Sequence, residues 1–445
     1  MAHIVIIGNG ISGVTCARLV RKRSDDEITI ISSETEHFYA RTALMYIYMG
    51  HMKYEHTKPY EDNFWKKNNI TLVHQYVEKV DAKNKNVTLK NGNSIQYDKL
   101  VLACGSKSNV PDIQGKDLLG IQSLYNYQDL QNMEINTKGV KNAVILGGGL
   151  IGIEMAEMLL SRNIHVTMLV REVAYWGGIL PEEEAKMIGR HIAEHHIDLL
   201  LGSELSEIIG NKSGSVKAVK TKKGETIPCE FVGIAIGVGP NVSFLKDSGI
   251  EIDRGVLIND HFETNIPDIF AVGDCAQFKE PPAGRKPIEQ VWYTGRMHAE
   301  TLAKTLLGKR TRYQPGPWFN SAKFLDIEYQ TYGDVPVKIN EDEKGFYWEH
   351  DNRKISFRAR YHAATGRLLG VNTFGMRLRH GVLENWILNK QNIEYVLSHL
   401  ADANFDPEFF RTYEEEIIRK FNKENNTQLK TVKKSWKRLL QILNL

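Results

Sequence analysis

Two segments of the chain share one pattern that restricts the fold more than any other feature. The pattern is a short apolar strand, then G-x-G-x-x-G, then a helix with small residues in its first turns. It occurs as HIVIIGNGISGVTCARLV at residues 3–20 and as NAVILGGGLIGIEMAEML at residues 142–159. Such glycines permit a tight turn, a close backbone approach to a pyrophosphate and close helix–strand packing. The sequence therefore predicts two dinucleotide-binding units built on parallel sheets. The motif glycines are Gly8, Gly10, Gly13, Gly147, Gly149 and Gly152.

The residues that follow the second strand of each copy differ. The strand EITIISSE ends at Glu34, 21 residues after Gly13, where an acid can bind a ribose hydroxyl. The strand IHVTMLV is followed by Arg171 and Glu172 instead. A cation there can pair with an adenosine 2′-phosphate, which would favour NADPH. A surface ion pair between Arg171 and Glu172 explains the same residues equally well, so the choice between NADH and NADPH stays open.

Composition narrows the class of protein further. A chain of 445 residues is long enough for two or three domains, and 42% hydrophobic and 25% charged residues are typical of soluble globular proteins. The net charge of +3 is too small to indicate nucleic acid as a partner. The four cysteines are far apart without C-x-x-C, which favours a reducing compartment and predicts neither a disulfide scaffold nor a metal site. Without an apolar leader or a run of about 18 apolar residues, we expect a cytoplasmic protein.

Two further motifs complete an ordered set. YDKLVLACGSKSNVP at residues 97–111 is a strand that enters a glycine turn, and TNIPDIFAVGDCAQF at residues 264–278 is a strand that ends in Gly-Asp. With these four motifs in order, the chain resembles the FAD-dependent pyridine nucleotide oxidoreductases from residue 1 to about residue 330. That large family includes NADH oxidases, disulfide reductases and ferredoxin reductases. Cys104 stands where the family usually has threonine.

The resemblance implies two cofactors and the residues that contact them. AIGVGPN at residues 235–241 matches the strand end that leaves the family's nicotinamide domain. The residues implied for FAD are Gly8, Gly10, Gly13, Glu34, Arg41, Ala103, Gly105, Gly273 and Asp274. The residues implied for NAD(P)H are Gly147, Gly149, Gly152, Arg171 and Gly237.

The resemblance also implies an α/β fold with two Rossmann-like domains and an α+β C-terminal domain with a helical tail. An FAD domain would be split into residues 1–112 and 245–325, with the NAD(P)H domain inserted at 113–244 and the C-terminal domain at 326–445. Around Asn-Gly, residues 81–100 alternate apolar and polar side chains, which predicts a hairpin. Residues 213–237 predict another in the inserted domain.

The segment after the second strand contains no cysteine between residues 34 and 60. Relatives that reduce disulfides or peroxide carry a redox cysteine there, so the resemblance points to ferredoxin and rubredoxin reductases, which lack it. Tyr39, Arg41 and Leu44 match the Y-x-R/K-P-x-L-S-K segment of those reductases, and Tyr46 replaces its flavin-side lysine. Glu154 matches the glutamate with which that lysine pairs, so we expect Glu154 and Tyr46 at the catalytic centre. A helix-dipole role for Glu154 is the alternative.

Later residues extend the match toward oxygenase-coupled ferredoxin reductases. GPWFNS resembles the P-W-F/Y-W-S segment that opens their C-terminal domain. Trp318 matches the first tryptophan of that segment, and Asn320 stands in place of the second. Glu289 matches the family's acid in KPIEQVWYTGR, and Trp292 is a candidate flavin-side aromatic. A core position is the more frequent role of such a tryptophan.

The C-terminal region is predicted to be strands over residues 326–375, with a turn at Thr-Gly-Arg, and then helices, one of them starting at Asp406-Pro407. The last helix would place apolar residues on one face, surrounded by basic residues. The apolar residues are Val432, Trp436, Leu439, Leu440 and Leu443. Such a helix suits an anionic membrane surface or an acidic protein, or it packs on its own domain.

Three functions remain open at this point. The first is an NAD(P)H-dependent FAD oxidoreductase that delivers electrons to an iron–sulfur protein, since a flavin splits a hydride into single electrons. The second is an NAD(P)H oxidase or a quinone or small-molecule reductase. The third is a nucleotide-dependent redox sensor or interaction protein. A homodimer and peripheral membrane contact are further expectations.

Overall fold

The computed structural model describes residues 1–405 and 411–443. The helix start expected at Asp406-Pro407 lies outside them. The described residues belong to two compact units. Unit 1 comprises Met1–Gly147, Met158–His165 and Leu205–Pro315, and unit 2 comprises Gly148–Glu157, Val166–Glu204 and the part from Gly316 onward.

The strands and helices of the described residues are as follows. The strands are β1 (His3–Ile7), β2 (Glu27–Ser32), β3 (Ile70–His74), β4 (Val77–Asp81), β5 (Asn86–Leu89), β6 (Ser94–Gln96), β7 (Lys99–Leu102), β8 (Ser106–Ser108), β9 (Ile121–Ser123), β10 (Asn142–Leu146), β11 (His165–Val170), β12 (Asp198–Leu201), β13 (Leu205–Gly210), β14 (Val216–Thr221), β15 (Thr226–Pro228), β16 (Phe231–Ile234), β17 (Val238–Pro240), β18 (Val256–Ile258), β19 (Ile269–Ala271), β20 (Ala276–Phe278), β21 (Phe319–Phe324), β22 (Ile327–Gly333), β23 (Glu343–Glu349), β24 (Ser356–His362) and β25 (Leu368–Phe374). The helices are α1 (Ile11–Arg21), α2 (Leu44–Tyr48), α3 (Phe64–Lys67), α4 (Tyr127–Asn136), α5 (Leu150–Leu160), α6 (Glu182–Glu194), α7 (Trp292–Leu306), α8 (His380–Leu388), α9 (Ile393–Ser398), α10 (Leu400–Ala403), α11 (Glu414–Asn425) and α12 (Trp436–Leu443).

A five-stranded parallel sheet organises unit 1, in the order β19-β7-β1-β2-β3. Its inner strands are nearly continuous apolar runs, as expected of parallel strands buried on both faces. Val5, Ile6 and Leu100 of this sheet are 0% exposed. Helices α1 and α7 pack against each other. In the same unit, β10 pairs in parallel with β16 and β16 with β9.

Antiparallel pairs form where the sequence predicts hairpins. β5 pairs with β6 across Asn91-Gly92, and the φ of Gly92 is +84°. β14 pairs with β15 in the same way. These pairs and the parallel sheets confirm the predicted α/β class. The three-domain division with its boundaries stays a prediction.

Unit 2 contains the parallel pair β11–β12 and an antiparallel sheet in the order β21-β22-β25-β24-β23. The predicted Thr-Gly-Arg turn joins β24 to β25, and its glycine, Gly366, has a φ of +66°. Helices α8 to α11 follow the sheet, which confirms the predicted helical tail. None of the helices in the described residues is long and apolar enough to cross a lipid bilayer.

The last helix corrects one prediction. α12 begins at Trp436, so Val432 precedes it. Leu439 is buried and Ile442 packs beside it on the core of unit 2, whereas Trp436 and Leu440 are 64% and 46% exposed. The prediction is confirmed for Leu439, which packs against α8, whereas Val432 lies outside the helix and Ile442, which was not predicted, packs on the core. α12 packs on its own unit, as one of the three alternatives expected.

Candidate functional site

The first glycine motif has the geometry of a phosphate cradle. Gly8 has a φ of +113°, and a Cβ atom there would lie 2.1 Å from the carbonyl oxygen of Ala103. A Cβ atom on Gly13 would lie 2.0 Å from the carbonyl oxygen of Gly8. Gly10 differs, because a Cβ atom there would meet nothing within 4 Å. Gly10 is also the N-cap of α1 and is not capped by a side-chain hydrogen bond. The turn is thus closed on two sides and open at the helix N-terminus, where a pyrophosphate fits.

Glu34 and Arg41, both predicted from the sequence, are in direct contact. Glu34 lies two residues beyond the end of β2. Its carboxylate accepts hydrogen bonds from Arg41 Nη1 at 3.1 Å and Nη2 at 2.6 Å, from the Tyr39 hydroxyl, and from the Tyr127 backbone N–H at 3.0 Å. The Glu34 side chain is 18% exposed. Its carboxylate is therefore engaged by donors of the chain itself.

A chain of hydrogen bonds leads from Arg41 to Asp274. Arg41 Nη1 donates to the Tyr125 carbonyl oxygen at 2.6 Å. The Tyr125 hydroxyl accepts from the Ser106 N–H at 2.9 Å, and Ser106 Oγ donates to Asp274 Oδ2 at 3.1 Å. Gln290 Nε2 in turn donates to Ser106 Oγ at 2.6 Å. Burial raises the pKa of the Asp274 carboxyl, and the Ser106 hydrogen bond opposes that rise.

Three members of this network were missed by the sequence analysis. Ser106 and Gln290 directly follow the predicted Gly105 and Glu289. Their place beside these motif residues could have identified them as candidate site residues. Tyr125 lies in a segment without a motif and carried no signal. Gly105, Gly237 and Gly273 have positive φ values of 67°, 92° and 74°.

Glu289 is held in a buried ion pair. Arg285 Nη2 lies 2.6 Å from Glu289 Oε2, and the two side chains are 3% and 7% exposed. The Thr294 hydroxyl donates to the same oxygen at 3.0 Å. This arrangement gives Glu289 a structural partner, and its contact with a cofactor stays a prediction.

The two predicted tryptophans lie in different units. Trp292 begins α7 in unit 1, and its ring is edge-on to that of Tyr293 at a centroid distance of 5.5 Å. Trp318 is half-buried in unit 2, where its carbonyl oxygen accepts from the Gly333 N–H at 2.7 Å. Their contacts with flavin stay predictions.

The first glycine of the second motif, Gly147, has the same backbone geometry as Gly8 in the first motif. Gly147 has a φ of +110°, and a Cβ atom there would lie 2.4 Å from the carbonyl oxygen of Ala235. Gly149 directly precedes α5, and Gly152 is buried in its first turn. Arg171 follows β11 with a side chain that is 77% exposed and lies 3.4 Å from Glu172 Oε1. The surface ion pair considered above is therefore present, and the preference for NADH or NADPH stays open.

The two expected catalytic residues have distinct surroundings. Glu154 lies in the second turn of α5, so it is not an acid of the helix's first turn. Burial raises the pKa of Glu154 to about 7, the carboxylate of Glu157 adds to the rise, and the Lys323 ammonium opposes it. Lys323 Nζ lies 2.8 Å from Glu157 Oε1. In unit 1, the Tyr46 ring stacks on His51 at 6.1 Å.

Known proteins are similar to this chain in sequence and in fold. Residues 2–299 match the family model described as pyridine nucleotide-disulphide oxidoreductase. A Bacillus subtilis nitrite reductase [NAD(P)H] is 28% identical over 84% of this chain, which spans only 45% of that enzyme's length. A Methanocaldococcus jannaschii NADH oxidase is 31% identical over 73% of this chain and 74% of its own length. A Clostridium acetobutylicum NADH-rubredoxin oxidoreductase is 32% identical over 62% of this chain and 68% of its own.

A solved structure agrees with these relatives at the level of the fold. The ferredoxin reductase of Rhodopseudomonas palustris superimposes with a TM-score of 0.77 over 84% of this chain and 91% of its own, at 21% identity. The family match covers more than half of the chain and includes both glycine motifs. It confirms the prediction of an oxidoreductase that uses FAD and a nicotinamide nucleotide. The chain belongs to the pyridine nucleotide-disulphide oxidoreductase family.

Proposed function

We propose that this protein takes electrons from NAD(P)H and delivers them to a separate iron–sulfur carrier of the rubredoxin or ferredoxin kind. The observation that carries the proposal is the absence of cysteine from residues 34–60, because a thiol relay of this family needs a cysteine there. The relative named NADH-rubredoxin oxidoreductase supports the same class of acceptor.

The residues proposed to hold the FAD pyrophosphate are those of the first glycine motif. Gly10 leaves open space at the N-terminus of α1, and the uncapped N–H groups of that helix suit a phosphate. Asp274, with Ser106 beside it, is proposed to bind the ribityl part. Ala103, Gly105 and Gly273 shape the adjoining backbone.

Glu34 is proposed to bind the adenosine ribose. Its Oε1 atom accepts from Tyr39, Arg41 and Tyr127, whereas its Oε2 atom accepts from Arg41 and has a lone pair left for a ribose hydroxyl. The Arg41 side chain is 33% exposed and can turn toward solvent or toward the cofactor phosphates. Glu34 and Arg41 are therefore proposed to act together.

FAD, when bound, supplies the capacity to accept a hydride and to release electrons one at a time. Glu154 and Tyr46 are proposed to act near the reacting rings. Because the pKa of Glu154 is about 7, its carboxyl can exchange a proton near neutral pH. Gly147, Gly149, Gly152, Gly237 and Arg171 are proposed to bind NAD(P)H, and Glu289, Trp292 and Trp318 to support the flavin.

The test is a two-step experiment on the purified, FAD-loaded protein. The flavin is first reduced anaerobically with NADH or NADPH and is then mixed with rubredoxin, with ferredoxin or with air-saturated buffer. We expect reoxidation by one of the carriers to be at least about tenfold faster than by air. A protein that binds no FAD would refute the proposal altogether.

The alternatives give other outcomes of the same experiment. Reoxidation by air as fast as by any carrier would identify an NAD(P)H oxidase, which the relative named NADH oxidase favours. Reduction without turnover by any acceptor would identify a nucleotide-dependent sensor.

We further propose a cytoplasmic protein. We also propose contact of α12 with a membrane surface and assembly into a homodimer; α12 itself packs on its own unit through Leu439.

A further inference from the structure

Two histidines and an aspartate meet at the C-terminal end of α6, within unit 2. His191 lies in the last turn of the helix and His195 directly follows it, so their spacing of four residues places both rings on one side. Asp326 lies in the short turn between β21 and β22. One ligand atom from each of the three side chains lies within 4.8 Å of the other two.

One of the two ligand–ligand distances already suits a metal ion, and the other requires Asp326 to move. His195 Nε2 lies 3.4 Å from Asp326 Oδ1, and His191 Nε2 also contacts Oδ1. Two ligands of a tetrahedral zinc ion, each about 2.0–2.1 Å from the metal, are separated by about 3.3 Å. The His195–Asp326 pair already has that separation. The Asp326 side chain is 59% exposed, so it can move outward from His191 to admit an ion.

The hydrogen bond of the His195 ring also favours a metal ion at Nε2. His195 Nδ1 lies 3.0 Å from the carbonyl oxygen of His191, so Nδ1 carries a proton and donates it. Nε2, the nitrogen that faces the Asp326 carboxylate at 3.4 Å, is therefore the one placed to bind an ion. Histidines that bind metals commonly donate their second N–H to a backbone carbonyl or a carboxylate.

His191 provides an independent observation. Its side chain is 1% exposed, and its Nδ1 atom has no hydrogen-bond partner among the described residues. A carboxylate oxygen of Glu194 lies 3.7 Å from Nδ1. With an ion at Nε2, the ring proton moves to Nδ1, where it faces that carboxylate.

We propose that His191, His195 and Asp326 bind one divalent transition-metal ion of the zinc class. Two imidazoles and one carboxylate suit Zn²⁺ and its neighbours in the first transition row, whereas Mg²⁺ and Ca²⁺ prefer oxygen ligands. His195 is 33% exposed, so water can complete the coordination. The ion would join the end of α6 to the β21–β22 turn, two parts of unit 2 that are distant in sequence.

Lys354 is the cation that would compete with the ion. Its Nζ atom lies 3.9 Å from Asp326 Oδ2 and 3.6 Å from Glu194 Oε2. It faces the other oxygen of Asp326 and is 41% exposed, so it can turn into solvent when the ion binds.

The experiment uses the full-length, FAD-loaded protein after treatment with a chelator. Zn²⁺ is titrated calorimetrically, and the thermal unfolding midpoint is measured with and without Zn²⁺. The variants are His195→Asn and Asp326→Asn. The control is His196→Asn, the same substitution at the next residue, which is exposed and has a φ of +59° that asparagine tolerates.

We expect wild type and His196→Asn to bind one Zn²⁺ with equal affinity and to gain thermal stability from it. His195→Asn and Asp326→Asn should bind at least about tenfold more weakly and lose that gain. Equal titrations of His195→Asn and His196→Asn, or no zinc-dependent stabilisation of the wild type, would overturn the proposal.

Discussion

Replacing Gly10 with alanine should weaken FAD binding without unfolding the protein. The backbone of Gly10 has φ −73° and ψ −175°, which alanine adopts without strain. The added methyl group meets no protein atom within 4 Å, so the free energy of unfolding of the apo-protein should change by less than about 0.5 kcal/mol. The methyl group would occupy the space proposed for the pyrophosphate. A loss of at least about 1.4 kcal/mol of binding free energy, or tenfold in Kd, is expected.

Gly8→Ala is the matched control, because it adds the same methyl group two residues away. The φ of +113° alone costs an L-residue about 1–3 kcal/mol. The methyl group would also lie 2.1 Å from the Ala103 carbonyl oxygen, which forces the backbone apart. A loss of at least about 3 kcal/mol in the free energy of unfolding is expected.

Two measurements separate the variants. Urea unfolding followed by circular dichroism reports stability, and quenching of FAD fluorescence on titration with apo-protein reports the Kd. If Gly10→Ala binds FAD as tightly as wild type, the pyrophosphate does not lie where we propose. If it unfolds as readily as Gly8→Ala, the space beside Gly10 is not open.

Three other predictions concern charged residues. Arg171→Ala should lower kcat/KM for NADPH and leave that for NADH unchanged; an unaltered ratio in steady-state assays would show that Arg171 does not contact the nucleotide. Because the pKa of Glu154 is raised from 4.5 to about 7, the folded state keeps a proton that the unfolded state releases, so wild type loses stability as pH rises through this window. Glu154→Gln should therefore gain up to about 3 kcal/mol over wild type between about pH 4 and pH 8 in urea unfolding, and a constant difference would contradict this. Arg438→Met should cost about 3–5 kcal/mol of unfolding free energy, since it leaves Asp402, which is 0% exposed and 3.1 Å away, without its cation. Arg438→Lys should cost less, and a loss below about 1 kcal/mol for Arg438→Met would mean that the pair contributes no more than a surface ion pair.

Local patterns were sufficient to predict the parallel strands, the hairpins and the glycine turns. Each depends on residues close in sequence, such as the Asn-Gly between β5 and β6. The partners of predicted side chains were not accessible in this way. The hydrogen bond from Arg41 to Tyr125 joins residues 84 apart, and the contact of His191 with Asp326 joins residues 135 apart. Such contacts depend on tertiary packing, for which the periodicity of a single segment gives no information.

The C-terminal helix α12 is another case in which a local sequence pattern did not predict the tertiary contacts. A short segment with several apolar residues offers more than one candidate face, and the sequence predicted one that includes Trp436, Leu439 and Leu440. Packing against α8 buries Leu439 of this set and leaves Trp436 and Leu440 exposed. Hydrophobic pattern alone does not choose between faces when the neighbouring helix is unknown.

The carbonyl oxygens that close on Gly8 and Gly147 have a consequence for the thermodynamics of nucleotide binding. Each opening glycine is fixed against the residue that follows a neighbouring strand, Ala103 after β7 and Ala235 after β16. Both turns are therefore ordered by strand register before any nucleotide arrives, and binding has little backbone entropy left to remove. The Gly8 amide hydrogen, which is donated to the Ile31 carbonyl oxygen at 2.8 Å, should therefore exchange slowly even in the apo-protein.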